Sequence, residues 1–265
     1  MPILAQRLSA ARVSAAAVSK PFDEPDPAAH AHSALLKARI GSEIEAGGGW
    51  MPFSRYMELA LYAPGLGYYA GGSLKLGRDG DFVTAPELTP LYAQALAEQV
   101  AQILEQTGGD VLEIGAGSGA LAADLLDELD RLGVLPSRYC ILEVSPELAQ
   151  RQQARLAARL GAPGVRVEWL RELPARLHGV VLGNELLDAL PVHVVEWRED
   201  DILERCVGLS QGRLQWASRP AGGAARDAAQ ALALAPPYVS ELGLAARALV
   251  RALAGRVERG ALLFI

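Results

Sequence analysis

Gly115, Gly117 and Gly119 follow the apolar run Val111-Leu-Glu-Ile114 and lead directly into Ala120-Leu-Ala-Ala-Asp-Leu-Leu126, a segment of helical composition. A strand, a turn of alternate glycines and a helix start make a nucleotide cradle. The glycines let the backbone approach a ligand without Cβ atoms, and the helix amides face it. Gly115-x-Gly117-x-x-Ala120 also fits a relaxed dinucleotide fingerprint, so the spacing alone leaves NAD and other adenosine cofactors open. Glu113 separates them. It stands two residues before the first glycine, at the carboxyl end of the strand. A carboxylate there repels a pyrophosphate and attracts the ammonium and sulfonium of S-adenosyl-L-methionine.

Two further acidic positions extend the site. Tyr139-Cys-Ile-Leu-Glu-Val144 reads as the second parallel strand and ends in Glu143, where one carboxylate can accept hydrogen bonds from both ribose hydroxyls. Gly179-Val-Val-Leu-Gly183 reads as the fourth strand and stops at Asn184, Glu185 and, three residues later, Asp188. In open parallel sheets the reacting partner meets the cofactor outside the carboxyl ends of the strands. Glu185 and Asp188 share a face if the segment turns helically.

Paired carboxylates suit a cationic or amine acceptor. In-line methyl transfer needs alignment more than acid–base chemistry. An arginine, with a pKa above ~12, would be oriented by such a pair, its charge held on the nitrogens that do not react. Asn184-Glu-Leu-Leu187 lacks the proline-proline-aromatic continuation of enzymes that methylate exocyclic amines of flipped bases. His193, before an alternating strand, reads as structural, and His178, at the other end of the fourth strand, as a surface residue.

The elements that must position these residues follow from periodicity. Residues 34–45 fit a helix ended by Gly47-Gly-Gly49, and residues 52–62 a second with Ser54 as N-cap candidate. Residues 63–70 and 77–87 are too rich in glycine, proline and aromatics for a regular element and read as a structured loop. Residues 88–105 form an amphipathic helix leading into the first strand, and 121–132 the crossover helix behind the glycine loop. Residues 146–160 are helical and 165–170 a third strand. Residues 192–219 alternate at period two around turns and read as a small antiparallel insert. Helices over 223–234 and 240–255 precede the apolar Ala261-Leu-Leu-Phe-Ile265. A domain rarely ends on a bare central strand, so the chain is expected to be part of a longer protein.

Composition sets the limits. The 265 residues carry 25 basic and 31 acidic side chains, a net charge of −6 with no basic block, which disfavours a nucleic-acid partner. Cys140 and Cys206 lie in apolar strands without metal-ligand spacing, so no metal is expected. No run of about 18 uncharged apolar residues exists to span a membrane. The first 28 residues are alanine-rich and contain Arg7, Arg12 and Lys20 but no acid before Asp23. They read as a disordered tail of a cytoplasmic protein, with a mitochondrial transit peptide as the alternative.

Several motifs together resemble one family, the MidA-like class I methyltransferases. They are Pro64-Gly-Leu-Gly-Tyr-Tyr69, Gly80-Asp-Phe-Val-Thr-Ala-Pro-Glu87, Leu112-Glu-Ile-Gly-Ala-Gly-Ser-Gly119 with Asp124, Leu142-Glu-Val-Ser-Pro146 with Gln152, and Asn184-Glu-Leu-Leu-Asp-Ala-Leu-Pro-Val192. Ala116 and Ser118 stand where that family commonly has proline and arginine. The resemblance implies an α/β Rossmann-like class I fold, mostly parallel with helices on both faces, that binds S-adenosyl-L-methionine. It implies that residues 80–87, with Thr84 and Glu87, help close the cofactor and acceptor site. It also implies a protein arginine as acceptor, on a respiratory-complex subunit for the mitochondrial members.

The expected organisation is a tail over 1–28, a helical and loop region over 29–109, a methyltransferase core over 110–191, an antiparallel insert over 192–219 and a return to the core over 220–265. An NAD-binding oxidoreductase, or a non-catalytic assembly protein on the same fold, are the competing functions.

Overall fold

The computed structural model describes residues 27–70, 84–160 and 164–265. The N-terminal elements are α1 (Pro27–Ala46), β1 (Trp50–Pro52), α2 (Phe53–Tyr62), α3 (Ala85–Leu88) and α4 (Pro90–Thr107). The core continues with β2 (Asp110–Ile114), α5 (Ala120–Arg131), β3 (Arg138–Leu142), α6 (Pro146–Leu160), β4 (Arg166–Leu170) and β5 (Leu177–Gly183). Then come β6 (His193–Trp197), β7 (Ile202–Ser210), β8 (Arg213–Pro220), α7 (Gly223–Leu232), β9 (Tyr238–Leu242), α8 (Leu244–Ala254) and β10 (Val257–Phe264).

Five parallel strands form the central sheet in the order β4-β3-β2-β5-β10. The chain winds outward from β2 to β4, then crosses back to lay β5 on the other side of β2. The carboxyl ends of β2 and β5 therefore flank the switch point, where such sheets open a crevice for a ligand. One face carries Val111, Tyr139, Ile141, Val180 and Leu182, packed with Leu96 and Val100 of α4, Leu125 and Leu129 of α5 and Leu156 of α6. The other carries Leu112, Ile114, Cys140 and Val181 under Leu253 of α8. Helices on both faces explain why β2 and β5 read as almost continuous apolar runs.

The helix ends follow local chemistry. Thr89 caps α4, its hydroxyl oxygen accepting from the Leu91 amide at 3.3 Å, with Pro90 at the first helical position. Gly108, at φ 65°, ends it. At the amino end of the sheet the backbones of Asp110, Gly179 and Gly260 lie side by side. A Cβ on Gly179 would fall 2.1 Å from the Asp110 carbonyl oxygen, so the register there demands glycine.

Several boundaries differ from the sequence reading. α1 starts at Pro27, inside the span expected as a tail and seven residues ahead of the expected helix start at 34; residues 1–26 of that tail lie outside the described ones. Pro52 rather than Ser54 stands at the N-cap of α2. The four-residue α3 lies in a stretch expected to be irregular; residues 77–83 of that loop lie outside the described residues. The helix expected over 240–255 begins only at Leu244, because residues 238–242 are recruited as β9.

The second sheet is also larger than the local pattern indicates. β7 pairs along one edge with β8 and along the other with β6 and, further on, β1; β9 lies beyond β6. Ile40 and Ile44 of α1, Met51 of β1 and Leu59 of α2 share an apolar cluster with Val207 of β7. The N-terminal region and the insert are thus one layer. Cys140 and Cys206 are free and buried, and burial pushes each thiol up to about 11.

Candidate functional site

The loop after β2 turns three times through left-handed backbone, with φ of 72° at Gly115, 55° at Gly117 and 81° at Gly119. L-residues rarely adopt these angles, which is why the spacing is glycine at alternate positions. A Cβ on Gly119 would also lie 3.3 Å from the Gln152 side chain, so the loop nests against α6.

Gln152, fully buried in α6, holds this nest together. Its Nε2 donates to the Gly117 carbonyl oxygen (2.9 Å) and to Glu143 Oε2 (3.1 Å), while its Oε1 accepts from Trp169 Nε1 of β4 (2.9 Å). Glu143 Oε1 accepts from the Ser145 amide at 2.8 Å, and Ser145 Oγ in turn caps α6 by accepting from Leu148 N at 3.3 Å. The half-buried carboxylate of Glu143 is therefore oriented at the end of β3. Beside it Val144, 79% exposed, offers an apolar surface at the same strand end.

Glu113 is placed differently from a surface acid. It is 2% exposed, on the sheet face that carries Val111, and its Oε2 accepts from Tyr139 Oη at 2.8 Å. Burial pushes its pKa up to about 7 against the opposing pull of the tyrosine hydrogen bond. The phenol of Tyr139 rises well above its ordinary value for the same reason, burial first and the neighbouring carboxylate second.

At the end of β5, residues 184–191 make bends and a turn rather than the helical continuation on which the shared-face argument for Glu185 and Asp188 depended. Glu185 sits at φ 47°, a conformation costly for a residue with a side chain, and its amide donates to the Ile265 carbonyl oxygen at 2.7 Å. Asn184 Oδ1 accepts from Tyr92 Oη of α4. Leu186 folds back over the glycine loop: a Cβ on Gly115 would lie 3.5 Å from Leu186 Cδ1. Cradle and acidic turn thus touch through Leu186.

α3 lies against the glycine loop. Thr84 is its N-cap residue, and Glu87 accepts a hydrogen bond from Ser118 Oγ of the glycine loop and pairs with Arg155 Nη1 at 3.5 Å. Residues 80–83 of the implied closing loop lie outside the described residues. His193 does not face this chemistry: its Nδ1 contacts Glu204 Oε1 at 2.6 Å and Ser54 Oγ at 3.5 Å, tying α2 to the antiparallel sheet. His178 pairs with Glu258 at the surface.

Residues 95–265, more than half of the chain, match the family described as "Putative S-adenosyl-L-methionine-dependent methyltransferase". The chain belongs to this family. It is similar to a Burkholderia thailandensis protein whose crystal structure holds S-adenosyl-homocysteine, with a TM-score of 0.85 and 47% identity over 93% of this chain and 65% of that one. It is 30% identical over 199 residues to the mitochondrial protein arginine methyltransferase NDUFAF7 of Danio rerio, covering 63% of this chain and 46% of the relative. The Caenorhabditis elegans homolog is 28% identical over 214 residues, 72% of this chain and 49% of that one. The chain spans about half the length of these curated relatives.

S-adenosyl-L-methionine is the family's cofactor, which removes the NAD alternative that glycine spacing left open. The cradle fits it, with three left-handed glycines, an oriented carboxylate at the end of β3 and an apolar side chain beside that carboxylate. Among the described residues there is no His, Cys, Asp and Glu cluster able to hold a metal, and no helix is long and apolar enough to cross a membrane.

Sequence reasoning assigned no role to Tyr139 against Glu113, Tyr92 against Asn184, or the Tyr62 hydroxyl, which donates to the Ala189 carbonyl oxygen at 2.7 Å. Gln152 belongs to the motif around Glu143, and its bonds to Gly117, Glu143 and Trp169 become visible only in the fold. No spacing rule could pair these residues, since each partner lies on a different element.

Proposed function

We propose that this protein transfers a methyl group from S-adenosyl-L-methionine to a protein arginine, with Gly115, Gly117, Gly119, Glu113, Glu143, Thr84 and Glu87 on the cofactor side and Asn184, Glu185 and Asp188 on the acceptor side. The observation that supports the reading is the approach of Leu186, in the turn that also carries Glu185 and Asp188, to Gly115 of the glycine loop. Bound S-adenosyl-L-methionine supplies the activated methyl group.

The protein's part is alignment. Gln152 and Ser145 hold the Glu143 carboxylate for the ribose hydroxyls, and Val144 offers its apolar side to the purine. Glu113 places a carboxyl group beneath the loop that ionises at little cost once a cation lies above it. Glu185 and Asp188 orient a guanidinium and localise its charge on the nitrogens that do not react, leaving the third directed toward the methyl group. Support for arginine comes from the names of the curated relatives; a respiratory-complex subunit as acceptor is proposed from the motif resemblance to the MidA-like family. The 47% identity to a bacterial protein, against about 30% to the mitochondrial ones, favours a cytoplasmic location.

Methyl-labelled cofactor incubated with lysate, wild type against Glu185→Gln, tests the activity. Label on arginine side chains, lost in the variant, is the expected result. Label on nucleic acid or a small molecule would overturn the arginine reading, and absence of S-adenosyl-homocysteine binding by calorimetry would overturn the methyltransferase reading.

A further inference from the structure

Glu185 and Asp188 form no salt bridge among the described residues, although arginine carboxylate pairs are frequent elsewhere on the protein. What they have instead is tyrosine. Tyr62, the last residue of α2, and Tyr69, in the following loop, stack with ring centroids 5.5 Å apart and planes at 28°. Tyr68 meets Tyr69 edge-on at 5.2 Å and 84°, which fixes the orientation of that ring. The Tyr62 hydroxyl reaches across to the Ala189 carbonyl oxygen, one residue beyond Asp188, and so ties the stack to the acidic turn.

Both rings remain 37% exposed, which is not how a pair serving only as core is placed. The carboxylates are near enough to be felt. Asp188 adds to burial in raising both phenols, Tyr62 to about 12, and Glu185 acts on Tyr69 as well. The phenols therefore stay neutral at physiological pH and present π faces rather than competing charges.

We propose that Tyr62 and Tyr69 are the aromatic wall of the acceptor pocket and that, with Glu185 and Asp188 opposite, they select a guanidinium over an uncharged group of the same shape. The inference rests on the reading that this site methylates a cationic side chain, and it adds the residues that recognise the cation. A cation placed beside these two carboxylates, neither of which has an ion-pair partner among the described residues, is attracted by both. A planar, weakly hydrated guanidinium gains further by lying against an aromatic face, which a compact ammonium does less well. Tyr62 has a second task, since its hydrogen bond sets the distance between wall and turn.

The test uses the intact protein saturated with S-adenosyl-homocysteine and two probes, N-acetyl-arginine methylamide and its neutral citrulline counterpart, titrated by NMR. The arginine probe should bind at least roughly tenfold more tightly than the citrulline probe. Tyr69→Ala and, separately, Tyr62→Ala should each weaken the arginine probe by roughly tenfold, while Tyr69→Phe, which keeps the π face, stays near wild type. S-adenosyl-homocysteine affinity should be unchanged in all three variants, which certifies their fold.

Equal binding of the two probes, no binding of the arginine probe, or alanine variants that bind it as the wild type does would each overturn the proposal. Failure of the wild type to bind S-adenosyl-homocysteine would instead overturn the methyltransferase reading, so the two failures are distinct.

Discussion

Glu113→Gln offers the most direct check on the physics of the cofactor cradle. The Glu113 carboxyl is raised from 4.5 to about 7 by burial, a difference of about 2.5 units, and each unit corresponds to about 1.4 kcal/mol. Below about pH 4.5 the group is protonated in both folded and unfolded chains and costs nothing. Between the two values the folded chain holds a proton that the unfolded chain has released, so stability falls as pH rises. By about pH 8 the loss reaches roughly 3 kcal/mol. Glutamine keeps the shape and can accept from Tyr139 Oη, but it cannot ionise. Its buried amide adds a cost of about 1–3 kcal/mol that does not vary with pH.

Urea unfolding of both proteins across this range isolates the effect, because all other titrations are common to the two and cancel in the difference. The variant should lose its disadvantage as pH rises and match or exceed the wild type near about pH 8. Parallel stability curves, offset by a constant, would refute the reasoning, since they would mean that Glu113 is ionised in the folded protein throughout. The same argument makes uptake of S-adenosyl-L-methionine near neutral pH release a proton. Calorimetry in buffers of different ionisation enthalpy would detect it, and the signal should vanish in Glu113→Gln.

Other perturbations follow from particular contacts. Gln152→Ala leaves Trp169 Nε1 and the Gly117 carbonyl without their partner and should cost about 2–4 kcal/mol in urea unfolding, together with at least a roughly tenfold loss of S-adenosyl-homocysteine affinity. Gly179→Ala places a Cβ 2.1 Å from the Asp110 carbonyl oxygen, between three strands that cannot separate, and should yield little folded protein as judged by circular dichroism. Glu185→Gly removes the φ 47° strain and should raise the unfolding free energy by about 1 kcal/mol while abolishing methyl incorporation. A less stable Glu185→Gly protein would show that the side chain, not the backbone, dominates at that position.

Much of the parallel sheet was readable locally, because its strands are buried on both faces and its helices carry an apolar stripe at helical period. β2, β5 and α5 fall within a residue or two of their periodic signals. The cradle was equally legible: alternate glycines and a strand-end acid are properties of a few adjacent residues, and each of the three glycines adopts the left-handed backbone that only its type takes without strain. The motif resemblance pointed to the same family that the profile match identifies.

What local pattern could not supply was pairing. The last three residues of β9, 240–242, fall in a stretch that reads as the start of a helix, and they are strand because β6 presents an open edge to them. β1 reaches β7 across more than half the chain. Glu113 read as a charge pointing at the cofactor, and tertiary structure gave it a buried tyrosine partner and a carboxyl poised near neutrality. Asp188 and Glu185 read as neighbours by helical spacing; they lie instead in a turn held by Leu186 against Gly115 and by the Tyr62 hydroxyl on the Ala189 carbonyl oxygen. The order of residues determined which chemistry was at hand, since residue type and short spacing set local geometry. Only the folded chain decided which groups face one another, because burial and long-range contact are properties of the whole packing.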